Sequence, residues 1–231
     1  MKKKMRNPLW KRLPRELVGD IGKYLVIFLF MTATIGFVSG FLVADESMLE
    51  AYDESFEKYR IENGNFTLDS QATEEKLEEL EQEGVTIYEN FYLDEPVDVD
   101  LDGTSDGTMR IFKKREEVNL VCLMKGTFPE TADEIAIDRM YADNNSLAVG
   151  DTITVGGKEL KITGLVALSD YSALFSDPGD LMFDSVKFGV SVLTPEGFAA
   201  FPDTHMKYCY SWLYEKEPAD DTEEKEMADN F

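Results

Sequence analysis

Histidine and cysteine are nearly missing from this chain of 231 residues, which has one of the first and two of the second. His205 stands alone between Thr204 and Met206 with no nucleophile pattern near it. A catalytic base must sit with partners that orient it, so His-based triads and most His-based metal sites are excluded. Two cysteines are too few for a disulfide scaffold. Basic residues are also scarce, 23 against 46 acidic ones, for a net charge of −23. That balance excludes a simple nucleic-acid binder, which needs a cationic face to displace counterions from phosphates. Phosphate-binding loops are absent too. The nearest candidate, 150–158, has misplaced glycines, and Glu159 stands where a hydroxyl should meet magnesium. No G-x-G-x-x-G, G-x-S-x-G or H-E-x-x-H occurs. The expectation is therefore a protein with no catalytic residues, no cofactor and no dedicated metal ligands, and not an enzyme.

Apolar material is not missing. With 43% apolar and 12% aromatic residues, the chain can bury a core, and its length allows one or two domains. The charge is unevenly divided. Residues 1–23 hold eight basic groups and two acids, a balance of +6; the rest holds 15 basic and 44 acidic groups, a balance of −29. Between them runs YLVIFLFMTATIGFVSGFLVA, residues 24–44, without one charge. At about 1.5 Å per residue this helix spans roughly 30 Å, the thickness of a hydrocarbon core. It is too long for a signal-peptide core and ends without a small-x-small cleavage site, while a buried soluble helix rarely stays uncharged for so long. The flanking lysines and arginines orient the N-terminus to the cytoplasm and everything after Asp45 to the outside.

Before the span, Leu9, Leu13, Leu17 and Ile21 recur every four residues beside Trp10 and several cations. This suits a helix starting near Leu13 and lying in the lipid interface, with Pro14 in its first turn, although a plain basic flank reads equally well. After the span, Met48, Tyr52, Phe56 and Tyr59 continue a helical stripe, and Asn63-Gly64 is a stop signal. A stalk results, whose stripe needs a partner in the soluble domain or in a second helix. The expected division is a basic interfacial segment 1–23, a membrane helix 24–44, a stalk 45–64 and an extracytoplasmic α+β domain 65–231.

Within that domain the pattern predicts strands at 65–68, 85–93, 109–113 and 134–138, and a helix opened by Thr73 with Leu77 and Leu80 inward and stopped by Gly84. A helical turn follows at 139–144. Strands 151–155 and 159–166 flank Gly156-Gly157 as a tight hairpin. A strand at 186–193 precedes a helix start at Thr194-Pro195-Glu196, and 208–214 is a final aromatic strand. From Asp221 the acids Glu223, Glu224 and Glu226 suit a first helical turn with no stop before Phe231, as in an excised or truncated product.

One acidic run could hold a cation. Asp98, Asp100, Asp102 and Gly103 match the first half of a calcium loop and Asp106 its ninth position, but Met109 stands where the bidentate glutamate belongs. Aspartate and glycine are also what any solvated hairpin loop contains. Cys122 and Cys209 lie 87 positions apart, in apolar and aromatic runs, and are either bridged or two buried thiols. Asn65 and Asn144 begin N-x-[ST] triplets, which matter only in a eukaryotic secretory pathway.

Three stretches resemble a known family: the opening 7–48, GTFPETADEIAIDRMYADN (126–144) and LAVGDTITVGGKELKITGLVALSD (147–170). The chain looks like the N-terminal part of an FtsX-like, MacB-type ABC transporter permease. The resemblance implies a first membrane helix followed by a MacB-like periplasmic core with an inserted β-rich subdomain, then further membrane helices beyond this sequence. It implies a separate or fused ABC ATPase as partner, a permease homodimer or pseudo-dimer, contact with membrane lipid, and an extracytoplasmic substrate or partner. The function it implies is export or mechanotransmission across the cell membrane. The alternative is a signal-anchored extracytoplasmic binding or sensory protein.

Overall fold

A computed structural model describes residues 18–231 except 172, 178, 217, 220–222, 224, 226 and 228–231, and except the side chains at 46 and 203. The expected basic interfacial segment 1–23 therefore lies mostly outside the described residues, as does most of the expected terminal helix from 221. The chain divides into two compact units, 1–54 and 55–231.

The first long element, helix α1 (Ile21–Tyr59), includes the whole uncharged run. It is the one helix among the described residues long and apolar enough to cross a membrane. The Thr34 hydroxyl donates to the Phe30 carbonyl at 2.8 Å, so the polar side chain is satisfied within its own helix. At its far end α1 stops earlier than Asn63-Gly64. Arg60 takes a left-handed conformation, φ 47°, and the Ile61 amide donates to the Phe56 carbonyl at 3.1 Å, a Schellman closure. Gly64 has another use. A Cβ there would lie 2.6 Å from the Trp212 ring, so glycine lets strand β1 pass against the indole.

The second unit opens with β1 (Gly64–Leu68), α2 (Glu74–Glu81) and β2 (Val85–Glu89). Leu77 and Leu80 on α2 are half-buried. Then come β3 (Tyr92–Asp98), β4 (Gly107–Lys113), β5 (Cys122–Gly126), β6 (Glu134–Asp138), α3 (Arg139–Asn144), β7 (Thr152–Val155), β8 (Lys158–Ala167), β9 (Phe188–Leu193), α4 (Pro195–Ala199) and β10 (Met206–Tyr214). Asp138 caps α3 by accepting the Met140 and Tyr141 amides, and Thr194 caps α4 by accepting that of Gly197. Gly156 and Gly157, φ 56° and 78°, turn β7 into β8 with Val155 opposite Lys158.

Two strand assignments change. The single strand expected at 85–93 is interrupted at Asn90 and Phe91, yet it keeps one register along β10, from Val85 opposite Tyr214 to Leu93 opposite Met206. It then runs on to Asp98, because from Tyr92 onward its other edge pairs with β4. Strand β5 was legible only as an apolar run.

The pairings explain the architecture. β3 pairs with β4, β4 with β9, β9 with β6, β6 with β8, β8 with β7, and β7 returns to β3 through Val97 opposite Val155. These six strands close into a ring, which removes free edges. Its interior is the main core, including Leu93, Met109, Ile111, Ile135, Ile162 and Val190, all fully buried. β10 is flanked by β1 and β2 in a three-stranded sheet with a second core of Val85, Trp212 and Tyr214. The ring, 92–193, is thus a β-rich subdomain inserted between β2 and β10 of a smaller α/β unit.

Candidate functional site

Two features of the second unit meet at Glu62. The first is the joint that ties the end of α1 into the domain. The chain after β4 passes back to α1, where the Asn119 amide donates to the Arg60 carbonyl at 2.9 Å and the Leu120 amide to the Tyr59 carbonyl at 2.8 Å. These carbonyls belong to the end of the helix, where intrahelical donors run out. Asn119 is fully buried and left-handed, φ 49°, a conformation asparagine tolerates better than most residues. Its side chain accepts the Glu62 amide at 2.9 Å and donates to the Glu62 carboxylate and, at 3.4 Å, to Ser211. Asn90 reaches the same Ser211 hydroxyl at 3.0 Å. The Tyr59 hydroxyl donates to Cys122 Sγ at 3.0 Å. The aromatic stripe at the end of α1 therefore meets the protein's own domain at Tyr59.

The second feature is a cleft of about 1160 Å³ whose lining includes Glu62, Asn65, Tyr92, Arg110, Asp170 and Phe188. Arg110 lies directly across the ladder from Asp94, and Nε and Nη2 hold the two Asp94 oxygens at 2.7 and 2.8 Å. Nη1 donates to the Tyr171 hydroxyl at 3.1 Å and Nη2 to the Ser176 carbonyl at 3.0 Å, while the guanidinium stacks 4.1 Å from the Tyr92 ring centroid. Burial works to lower the Arg110 pKa, but the bonds to Asp94 and Tyr171 outweigh it and hold the group charged. Burial pushes the Tyr171 hydroxyl up to about 12 against the pull of Arg110. Arg110 is thus a structural hub that ties Tyr171 and Ser176 to Asp94 on β3. Behind it, Arg115 pairs with Asp170 at 2.6 Å and stacks on Phe112 at 4.1 Å, with its Nε and Nη2 buried without partners.

The other residues singled out from sequence fall elsewhere. The run 98–106 is the β3–β4 hairpin loop. Asp98, Asp100 and Asp106 bring one carboxylate oxygen each within 4.8 Å of one another. The loop uses its carboxylates on its own backbone: Asp106 accepts the Val99 amide at 2.8 Å, Asp98 that of Gly103 at 2.9 Å, and Asp100 that of Asp102 at 3.1 Å. The Asp102 pKa is lowered by its bonds from Thr104. Met109, at the twelfth position, is fully buried in the ring and supplies no ligand. His205 Nδ1 lies 2.7 Å from Oε1 of buried Glu95. The 150–158 candidate is the β7–β8 hairpin, with the Gly150 amide bonded to the Ile162 carbonyl at 2.8 Å. Cys122 and Cys209 are both free thiols, and burial raises the Cys209 pKa. Asn65 bonds Glu62, and Asn144 bonds Ser185. Sequence reasoning missed Asn119, Arg110 and Asp94. Their only sequence signal is polar residues inside or beside strongly apolar strands, which does not say that they meet.

No protein-family model matches this chain, and no curated protein matches it. Among solved structures it is similar to the extracellular domain of the noncanonic ABC-type transporter YknZ from Gram-positive bacteria. That likeness has 14% identity and a TM-score of 0.41 over 72% of this chain and 87% of that one. It is also similar to the periplasmic region of MacB from Actinobacillus actinomycetemcomitans, at 10% identity and a TM-score of 0.41, over 77% of this chain and 87% of that one.

Proposed function

We propose that the chain is a membrane-anchored component of an ABC transporter, the N-terminal part of its permease, in which α1 passes motion between an ATPase and the external domain. The carrying observation is the joint. An uncharged run long enough to cross a bilayer continues as one helix to Tyr59, and its last carbonyls are hydrogen-bonded by Asn119 and Leu120 of the domain. A flexible tether would let the domain float, whereas a bonded helix end transmits rotation or tilt. The three sequence stretches add support by analogy of family rather than by mechanism. In this reading the basic arm is cytoplasmic, the domain is outside, two permease copies or pseudo-copies work together, and the cleft beside Arg110 takes the substrate or partner. Catalysis stays with the ATPase, and this chain is not itself an enzyme.

The test uses the full chain, isolated from its native membrane in mild detergent. An ABC ATPase should co-purify in fixed proportion. Cys122, bonded to Tyr59 at the joint, should alkylate at a rate that changes when ATP and vanadate are added. Isolation without an ATPase, with a Cys122 rate indifferent to nucleotide, would reject the proposal in favour of an anchored binding protein.

A further inference from the structure

Between β8 and β9 the chain makes a long excursion whose tip is apolar and outward. Leu181 is 98% exposed and Met182 is 84% exposed. A leucine so placed loses the whole benefit of burial, and single exposed apolar residues are ordinary only when they are scattered. Here the two are adjacent, with Phe183 beside them, and the base of the excursion is held. On one side the Arg110 guanidinium grips the Ser176 carbonyl at 3.0 Å. On the other, Asn144 donates to the Ser185 hydroxyl at 2.6 Å and Asn145 to the Val186 carbonyl at 3.1 Å. Phe183 meets Phe175 edge to face, with ring centroids 5.8 Å apart. The tip is presented by a scaffold.

Charge decides what the tip can enter. Asp180 and Asp184 bracket it, each fixed by local hydrogen bonds: Asp180 accepts the Ser176 hydroxyl and the Asp177 amide, Asp184 the Val186 and Lys187 amides. The Asp180 carboxyl is held below its usual range by the Ser176 bond, and Asp184 places a second acidic side chain on the other flank. An anionic lipid surface repels such a tip, and residues 180–184 contain no lysine, arginine or tryptophan to anchor in headgroups. A second copy brings the same −29 exterior and repels it as well.

We infer that residues 180–184 form a docking finger for another protein, one that offers an apolar socket for Leu181 and Met182 within a rim of lysine or arginine. This site projects from the rim of the cleft, whose lining includes Asp184, and it does not depend on the transporter reading. Its affinity comes from desolvating two large side chains at the centre, with the flanking carboxylates supplying orientation and choice of partner.

The experiment places photoreactive p-benzoylphenylalanine at Leu181 of the full chain in its native membrane, with the same probe at exposed Ser70 as control. The expected result is one discrete protein adduct at Leu181 that is absent at Ser70, whose sequenced contact peptide is apolar and flanked by Lys or Arg. Met182→Asp should cut the yield about tenfold or more. Asp184→Asn, which keeps the turn's acceptor but removes its charge, should cut it about two- to fivefold. Neither variant should move the melting temperature, because both side chains are exposed. An adduct with lipid, with a second copy or with an acidic peptide overturns the inference. So does labelling no stronger than at Ser70, or a yield indifferent to Met182→Asp.

Discussion

Replacing Asn119 should loosen the joint more than any surface change near it. Asn119→Ala removes the acceptor of the Glu62 amide, a neutral bond in a buried setting, which costs about 1 kcal/mol. It also removes the donor to the Glu62 carboxylate; Glu62 is only half-buried, so water recovers part of that and about 1 kcal/mol remains. The 3.4 Å contact to Ser211 is too long to add much. Alanine must then hold φ near 49°, which costs about 1 kcal/mol more than asparagine or glycine. The expected loss is about 3 kcal/mol for Asn119→Ala and about 2 kcal/mol for Asn119→Gly. Both are measured by denaturant unfolding of the full chain in detergent, followed by the fluorescence of buried Trp212 in a Trp10→Phe background. The order matters as much as the size. A loss under about 1 kcal/mol for alanine, or glycine less stable than alanine, refutes the account of the joint given above.

Other consequences can be checked singly. Arg110→Met leaves Asp94 partly buried without its cation and releases Ser176; it should cost about 2–4 kcal/mol and make the segment 171–187 sensitive to protease, whereas adding Asp94→Leu should recover part of the loss. Tyr171 ionises near pH 12 in the folded protein and near 10 when unfolded, so below pH 10 it does not affect stability. Between those values the unfolded state loses its proton first and stability falls as pH rises, with Tyr141, also raised by burial, prolonging the fall. Alkaline unfolding followed with tyrosine absorbance at 295 nm should show the ionisation of these groups coinciding with loss of structure, and Tyr171→Phe should reduce the pH slope. Intact-mass analysis should find two free thiols, with Cys122 alkylated before the more deeply buried, pKa-raised Cys209; a protein lacking free thiol before reduction would contradict the structure.

Local elements were legible wherever one short stretch carried its own reason. The uncharged run 24–44 suits a long apolar helix, since a lone segment satisfies its own backbone in hydrocarbon only as a helix. Thr194 marks a helix start because its side chain serves an amide three residues on. Gly156-Gly157 marks a hairpin because both residues must turn left-handed. The stop at Asn63-Gly64 misread a glycine kept for the Trp212 ring as a helix cap, since both uses look alike in sequence.

By itself, then, the amino-acid sequence determined a basic arm, a long uncharged run, an acidic remainder and most strands and helices, because each follows from charge counting, periodicity or capping within a few residues. Tertiary structure alone decided three things: that β7 returns to β3 and closes a ring inserted into a smaller sheet, that Arg110 serves Asp94, Tyr171 and Ser176 together, and that Asn119 fastens the end of α1. Those partners stand 16, 61, 66 and 57 residues apart for Arg110–Asp94, Arg110–Tyr171, Arg110–Ser176 and Asn119–Glu62. Strand pairing and buried polar contacts at such separations depend on the path of the whole chain, and no local pattern encodes which polar residue will meet which.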